Sequence, residues 1–194
     1  MAINLRKGQR VSLDDGLKLC LVGLGWDTNK YDGGYDFDLD ASVFMLGAND
    51  KMSRDEDFIF YNNPKSRNGA VVHTGDNLTG GSDGDDEQII IDLEKVPADV
   101  QKLAICVTIY DHDVRKQNFG QVSNAYIRLV KMQDEFDSDG EVVLRFDLEE
   151  EFSIETALVV AEIYRKNGQW KFNAVAAGYQ GGLEAIVKAF GGNV

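Results

Sequence analysis

Asp36-Phe37-Asp38-Leu39-Asp40-Ala41-Ser42-Val43 sets an apolar side chain at every second position with a polar one between. That is the period of a strand, whose side chains point alternately to opposite faces. Asp36, Asp38 and Asp40 then share one face at intervals of roughly 6.6 Å. Aspartate is poorly favoured in strands, so three in register on an outer face ask for something that compensates their charge. The β pattern continues outward from this stretch. Leu17, Leu19, Leu21 and Gly23 alternate with Lys18, Cys20, Val22 and Leu24. Further strand-like runs cover Asp57–Asn62, Gln88–Leu93, Lys102–Asp111, Asn124–Met132, Val142–Asp147, Thr156–Arg165 and Gln169–Ala177. Their spacing, broken by turns rich in Gly, is that of a sandwich or barrel. The run Leu103–Tyr110 is apolar on both sides, as a central strand covered on both faces would be. Lys166-Asn167-Gly168-Gln169 carries the Asn-Gly hairpin signal, and Asp137-Ser138-Asp139-Gly140 closes another pair in the same way. Near the end, Leu183, Ile186, Val187 and Phe190 fall at helical spacing before Gly191-Gly192. The expectation is one mainly β domain over residues 1–194: a β-sandwich of about ten strands with a short C-terminal amphipathic helix.

The 194 residues are 43% hydrophobic and 27% charged, which excludes a disordered or fibrous chain. Thirty-three Asp and Glu oppose 20 Lys and Arg, for a formal net charge of −13. No basic cluster is present to displace counterions from phosphates, so nucleic acid is not an expected partner and cations are. Cys20 and Cys106 both lie in apolar runs, where a thiol behaves as a small buried hydrophobe, and a reducing compartment fits. The N-terminus has no apolar signal core, and no stretch approaches the ~18 apolar residues of a spanning helix, so a cytoplasmic protein without a transmembrane segment is expected.

The acid is unevenly distributed. Between Lys30 and Lys51 there is no basic residue but there are Asp32, Asp36, Asp38, Asp40 and Asp50. Between Asn68 and Glu94 Lys and Arg are again absent, while Asp76, Asp83, Asp85, Asp86, Glu87, Asp92 and Glu94 all fall there. Close carboxylates repel unless a cation sits between them. The segment from Gly75 to Glu87, with Asn77 among its acids, offers oxygen donors only. That chemistry suits calcium, which takes six to eight oxygens in loose geometry, better than zinc, copper or the strict octahedron of magnesium. Two acid-rich segments predict two calcium ions. Acid-rich loops are often merely solvated; the alternation of the three Asp and the glycines around the second segment point beyond solubility. The pattern is not an EF-hand, because counting from Asp36 the sixth and twelfth positions are Ala41 and Gly47.

Catalytic signals are weaker. His112 stands in Tyr110-Asp111-His112-Asp113 and reads as a structural or surface histidine rather than a general base. There is no nucleophile elbow, phosphate loop or dinucleotide fingerprint, and no enzyme is expected.

Gly25-Trp26-Asp27, Phe37-Asp38-Leu39-Asp40-Ala41-Ser42, Phe60-Tyr61-Asn62-Asn63-Pro64 and Gly75-Asp76-Asn77-Leu78-Thr79-Gly80, followed by Asp85-Asp86-Glu87, recur in a known order. So do Phe119-Gly120-Gln121-Val122, Glu155-Thr156-Ala157 and Trp170-Lys171-Phe172. Across nearly its whole length the chain resembles the TerD family of tellurite-resistance and stress-response proteins. The resemblance implies a bacterial, cytoplasmic β-sandwich that binds calcium at one end. It also implies a system conferring tellurite resistance, phage inhibition and colicin resistance. Carried over residue by residue, it implies ligands from Asp38, Asp40, Asp76, Asn77 and the run Asp83, Asp85, Asp86 and Glu87, with Asp27 and Asp36 next in rank. Two functions of different class follow. One is a calcium-dependent interaction module for other proteins of the same system or for the inner-membrane surface. The other is an enzyme acting on tellurium oxyanions with Cys20 and Cys106 as reductants.

Overall fold

A computed structural model describes residues 2–30, 34–81, 84–137, 140–148 and 152–193. Among them twelve strands form two six-stranded sheets. The first sheet runs in the order β1 (Ile3–Leu5), β10 (Glu141–Asp147), β9 (Tyr126–Lys131), β3 (Leu19–Gly25), β7 (Glu87–Asp92), β6 (Val71–His73). The second runs β2 (Arg10–Ser12), β12 (Gln169–Tyr179), β11 (Ala157–Lys166), β8 (Lys102–Ile109), β4 (Leu39–Leu46), β5 (Phe58–Ile59). All neighbours are antiparallel except β1 and β10. The four sheet edges are strands of two or three residues, short enough to limit pairing with other chains. Of these, β1, β2 and β6 left no readable period in the sequence.

The sheets face one another across one apolar cluster. Val22, Leu24, Ile89, Ile91, Ile127 and Leu129 come from one sheet, and Leu39, Val43, Leu103, Ile105, Leu158 and Phe172 from the other. The outer face of the second sheet is also closed. Phe44, Leu46, Ala104, Cys106 and Val159 lie under Ile186 and Val187 of helix α2 (Gly182–Ala189). The helix stops where Gly191, at φ 84°, lets its N–H reach the Lys188 carbonyl at 3.1 Å and the Gly192 N–H reach that of Val187 at 2.9 Å. Both faces of β4 and β8 are therefore buried, and Asp38 and Asp40, expected on the outer face, are themselves buried. Asn167 and Gly168, at φ 54° and 78°, form the two-residue turn between β11 and β12. The turn expected at Asp137–Gly140 includes residues 138–139, outside the described residues. No helix among the described residues is long and apolar enough to cross a membrane.

Register brings the loops that matter to one end. Leu39 pairs Ile109, Ala157 pairs Tyr179, Leu24 pairs Glu87 and Tyr126 pairs Asp147. The Ala41 N–H donates to Glu87 Oε2 at 2.6 Å, tying the starts of β4 and β7 together across the two sheets.

Candidate metal centre

Asp38 and Asp40 flank Leu39, which points into the core, so both turn the other way; Asp76 arrives on the connection between β6 and β7. Their carboxylate oxygens lie within 4.8 Å of one another. Asp38 is 3% and Asp40 6% exposed, while Asp76 is exposed. Asp38 Oδ2 meets the guanidinium of Arg115 at 3.1 Å, but its Oδ1 is buried without a hydrogen-bond partner among the described residues. Arg115 is supplied by the short helix α1 (His112–Arg115). Beside the cluster Glu87, 1% exposed, accepts the Ala41 N–H and, at 3.4 Å, the Asn77 N–H. His73 Nε2 lies 3.5 Å from Glu87 Oε2. Because His73 Nδ1 accepts the Gly75 N–H at 3.3 Å, Nε2 is the nitrogen that carries the proton toward Glu87.

Burial pushes the Asp40 carboxyl up to about 8 from an ordinary 3.8, with Glu87, Asp38 and Asp76 adding repulsion and Arg115 opposing. Burial likewise raises Asp38, against the pull of Arg115, and Glu87, against His73 and the backbone N–H groups. Among the described residues, Asp38, Asp40, Asp76 and Glu87 thus face the one guanidinium of Arg115. Calcium holds oxygens at about 2.4 Å, so ligands on its opposite sides stand about 4.8 Å apart. The spacing of the cluster, its all-oxygen donors and the orphaned Asp38 oxygen fit such an ion. Asp40 also lines a cleft of about 300 Å³ together with Tyr61, Tyr110, His112 and Gly181.

The loop carrying Asp76 is braced from within. Asn77 Oδ1 accepts the N–H groups of Thr79 and Gly80, both at 3.1 Å, and its amide donates to Asp86 Oδ1 at 3.2 Å. The other Asp86 oxygen accepts the Trp26 N–H at 2.9 Å. Gly80, at φ 70°, passes so close to the Trp26 indole that a Cβ would lie 2.2 Å from Nε1, which donates to the Phe37 carbonyl at 3.0 Å. One ring therefore couples the Asp76 loop to the segment leading into Asp38.

The remaining expected ligands are placed elsewhere. Asp85 forms a fork with Arg128 at 2.8 and 2.9 Å and accepts from Tyr126 at 3.2 Å and from Gln88 at 3.2 Å. It sits over Gly23, where a Cβ would come within 2.1 Å of its oxygen. Asp36 precedes β4 and is exposed, Asp27 is bound to Lys30 and Asn124 at 2.9 and 2.7 Å, and Asp83 lies outside the described residues. Asp76 thus joins Asp38 and Asp40, so the two acid-rich segments meet in one cluster. Arg115 and His73 were not anticipated; neither stands in a pattern that marks it.

Both cysteines are fully buried, on different sheets. Burial pushes the Cys20 thiol up to about 12 and raises that of Cys106 well above its ordinary value.

The TerD domain family model matches residues 1–190. General stress protein 16U of Bacillus subtilis is 53% identical over 194 residues, covering 98% of each chain. Tellurium resistance protein TerD of Alcaligenes sp is 53% identical over 196 residues, covering 100% of this chain and 99% of its own. In fold, the chain is similar to the crystal structure of a homologue of telluride resistance protein (TerD) from Streptomyces coelicolor A3(2), with a TM-score of 0.69, 22% identity and coverage of 87% and 94%. A two-sheet sandwich matched by this domain almost from end to end, with relatives at such identity over their full lengths, belongs to the TerD family.

Proposed function

We propose that Asp38, Asp40 and Asp76 bind calcium and that the protein works as a calcium-dependent interaction module, not an enzyme, in tellurium resistance and stress response. The observation that carries this reading is the buried Asp38 Oδ1, left without a hydrogen-bond partner among the described residues in a group of carboxyls that one guanidinium does not balance. Glu87 fixes the start of β4 through the Ala41 N–H, and Trp26 and Asn77 hold the Asp76 loop against it. When bound, the ion supplies positive charge and an electrophilic point at a partner's oxygen. The relatives' names motivate the resistance and stress roles, and phage inhibition, colicin resistance and a cytoplasmic setting belong to the same proposal.

The competing reading, reduction of tellurium oxyanions by thiols, is disfavoured because Cys20 and Cys106 are buried, apart and held in the neutral form. Calorimetric titration with calcium and with magnesium tests the proposal. Among the described residues the two acid-rich segments form one such carboxylate group where two ions were expected, so one calcium ion is expected there, magnesium should compete poorly, and Asp38→Ala with Asp40→Ala should abolish the site. No calcium binding, or equal affinity for both ions, refutes it.

A further inference from the structure

Among the described residues, large hydrophobic side chains are exposed at seven positions, and five of these lie at the carboxylate end. They are Tyr35 (61%), Leu78 (60%), Tyr110 (43%), Val114 (68%) and Ile154 (57%), while Ile3 and Phe136 lie elsewhere. Leu78 is two residues from Asp76. The Tyr110 N–H donates to the Asp38 carbonyl at 2.9 Å, and the Arg115 guanidinium that meets Asp38 lies 5.8 Å from the centre of the Tyr35 ring and 5.2 Å from that of Tyr110. Val114 precedes Arg115 on α1, and Ile154 leads into β11, whose first residue pairs with Thr108 beside Asp40. Apolar tips from four separate connections therefore border an ionic centre.

Protein interfaces have the opposite layout, an apolar centre inside a polar rim. An ionic centre with apolar tips around it matches a bilayer surface instead. Lipid phosphates there can meet a bound cation while Leu, Val and Ile reach the acyl boundary and Tyr rings settle at headgroup depth. Without the cation the same end is repelled by anionic lipid, because Asp36, Asp111 and Asp113 add to the cluster's charge. We propose that this end docks on an anionic lipid bilayer through Leu78, Val114, Tyr35, Tyr110 and Ile154 once calcium is bound; the inference rests on the calcium reading above.

Co-sedimentation of the full chain with vesicles is the test, using phosphatidylcholine alone and equimolar phosphatidylcholine and phosphatidylglycerol, each in calcium and in chelator. Binding is expected only to the mixed vesicles in calcium. The double variant Leu78→Glu/Val114→Glu should weaken it by about tenfold or more while its calorimetric calcium affinity stays within about twofold of wild type. Val114→Glu alone, on the most exposed of the five side chains, should give a smaller loss in the same direction. Calcium binding without vesicle binding overturns the docking and leaves the calcium site standing. Absent calcium binding overturns both. Vesicle binding that survives the double variant, or calcium-dependent self-association in place of vesicle binding, overturns the lipid assignment.

Discussion

Asp40→Asn replaces a buried carboxyl by a neutral group of the same shape, and the stability it adds to the ion-free protein should be largely cancelled in calcium. In the ion-free protein Asp40 is pushed up to about 8 from 3.8. Across that window the folded chain holds a proton that the unfolded chain has released, so ion-free stability falls as pH rises from about 4 to about 8 and levels off above. At about 1.36 kcal/mol per pH unit, the cost reaches on the order of 4 kcal/mol at about pH 7. Asp38 and Glu87 share the same repulsion, so removing one charge should recover about 2–4 kcal/mol in chelator. For a chain of this size that raises the melting temperature by roughly 5–15 °C. In calcium the ligand is lost. Wild type gains about 2.7 kcal/mol per ion at a hundredfold excess over Kd, and the variant forfeits that share. Thermal melts of both proteins in chelator and in calcium read this directly. A variant less stable than wild type in chelator would mean that Asp40 is not repelled there, and a difference that calcium leaves unchanged would mean that Asp40 is not a ligand.

Arg128→Ala should cost about 2–4 kcal/mol equally in calcium and in chelator, because it strands the buried Asp85 carboxylate rather than touching the ion; a loss seen only in calcium would make Asp85 a ligand after all. Gly80→Ala forces a Cβ against the Trp26 indole at a positive φ, so calcium affinity should fall and melts should show at least about 2 kcal/mol of destabilisation; unchanged affinity would uncouple that ring from the site. Neither cysteine should react with a thiol reagent in the native state at about pH 8, and both should react on unfolding. The Cys20 thiol is pushed up to about 12 from 9.0, so the stability from burying it neutral is present below pH 9 and is lost as pH climbs through that window; rapid native labelling of both thiols would contradict this burial.

The strand pattern was legible where both faces mattered for long enough. Leu103–Tyr110 announced a central strand because it is apolar on both sides, and β8 lies between β4 and β11. Three edge strands of three residues each could not announce themselves by period. Asp38 and Asp40 stood out by alternation, but the same alternation included Asp36, and nothing local shows that the strand begins only at Leu39. Their burial was hidden too, since the groups set against them, Asp76 and Arg115, lie far along the chain. In the second acidic segment, composition could not separate Asp76 from Asp85. The separation comes from Arg128, 43 residues further on, which takes Asp85 and leaves Asp76 to face Asp38 and Asp40.

A crystal structure of the protein grown in calcium decides whether these carboxylates hold the ion. An ion is expected, bound by oxygens of Asp38, Asp40 and Asp76 at about 2.4 Å, with the Asp85–Arg128 pair intact beside it. Water alone among those three carboxylates, or calcium held instead by Asp85 or Asp27, would contradict it.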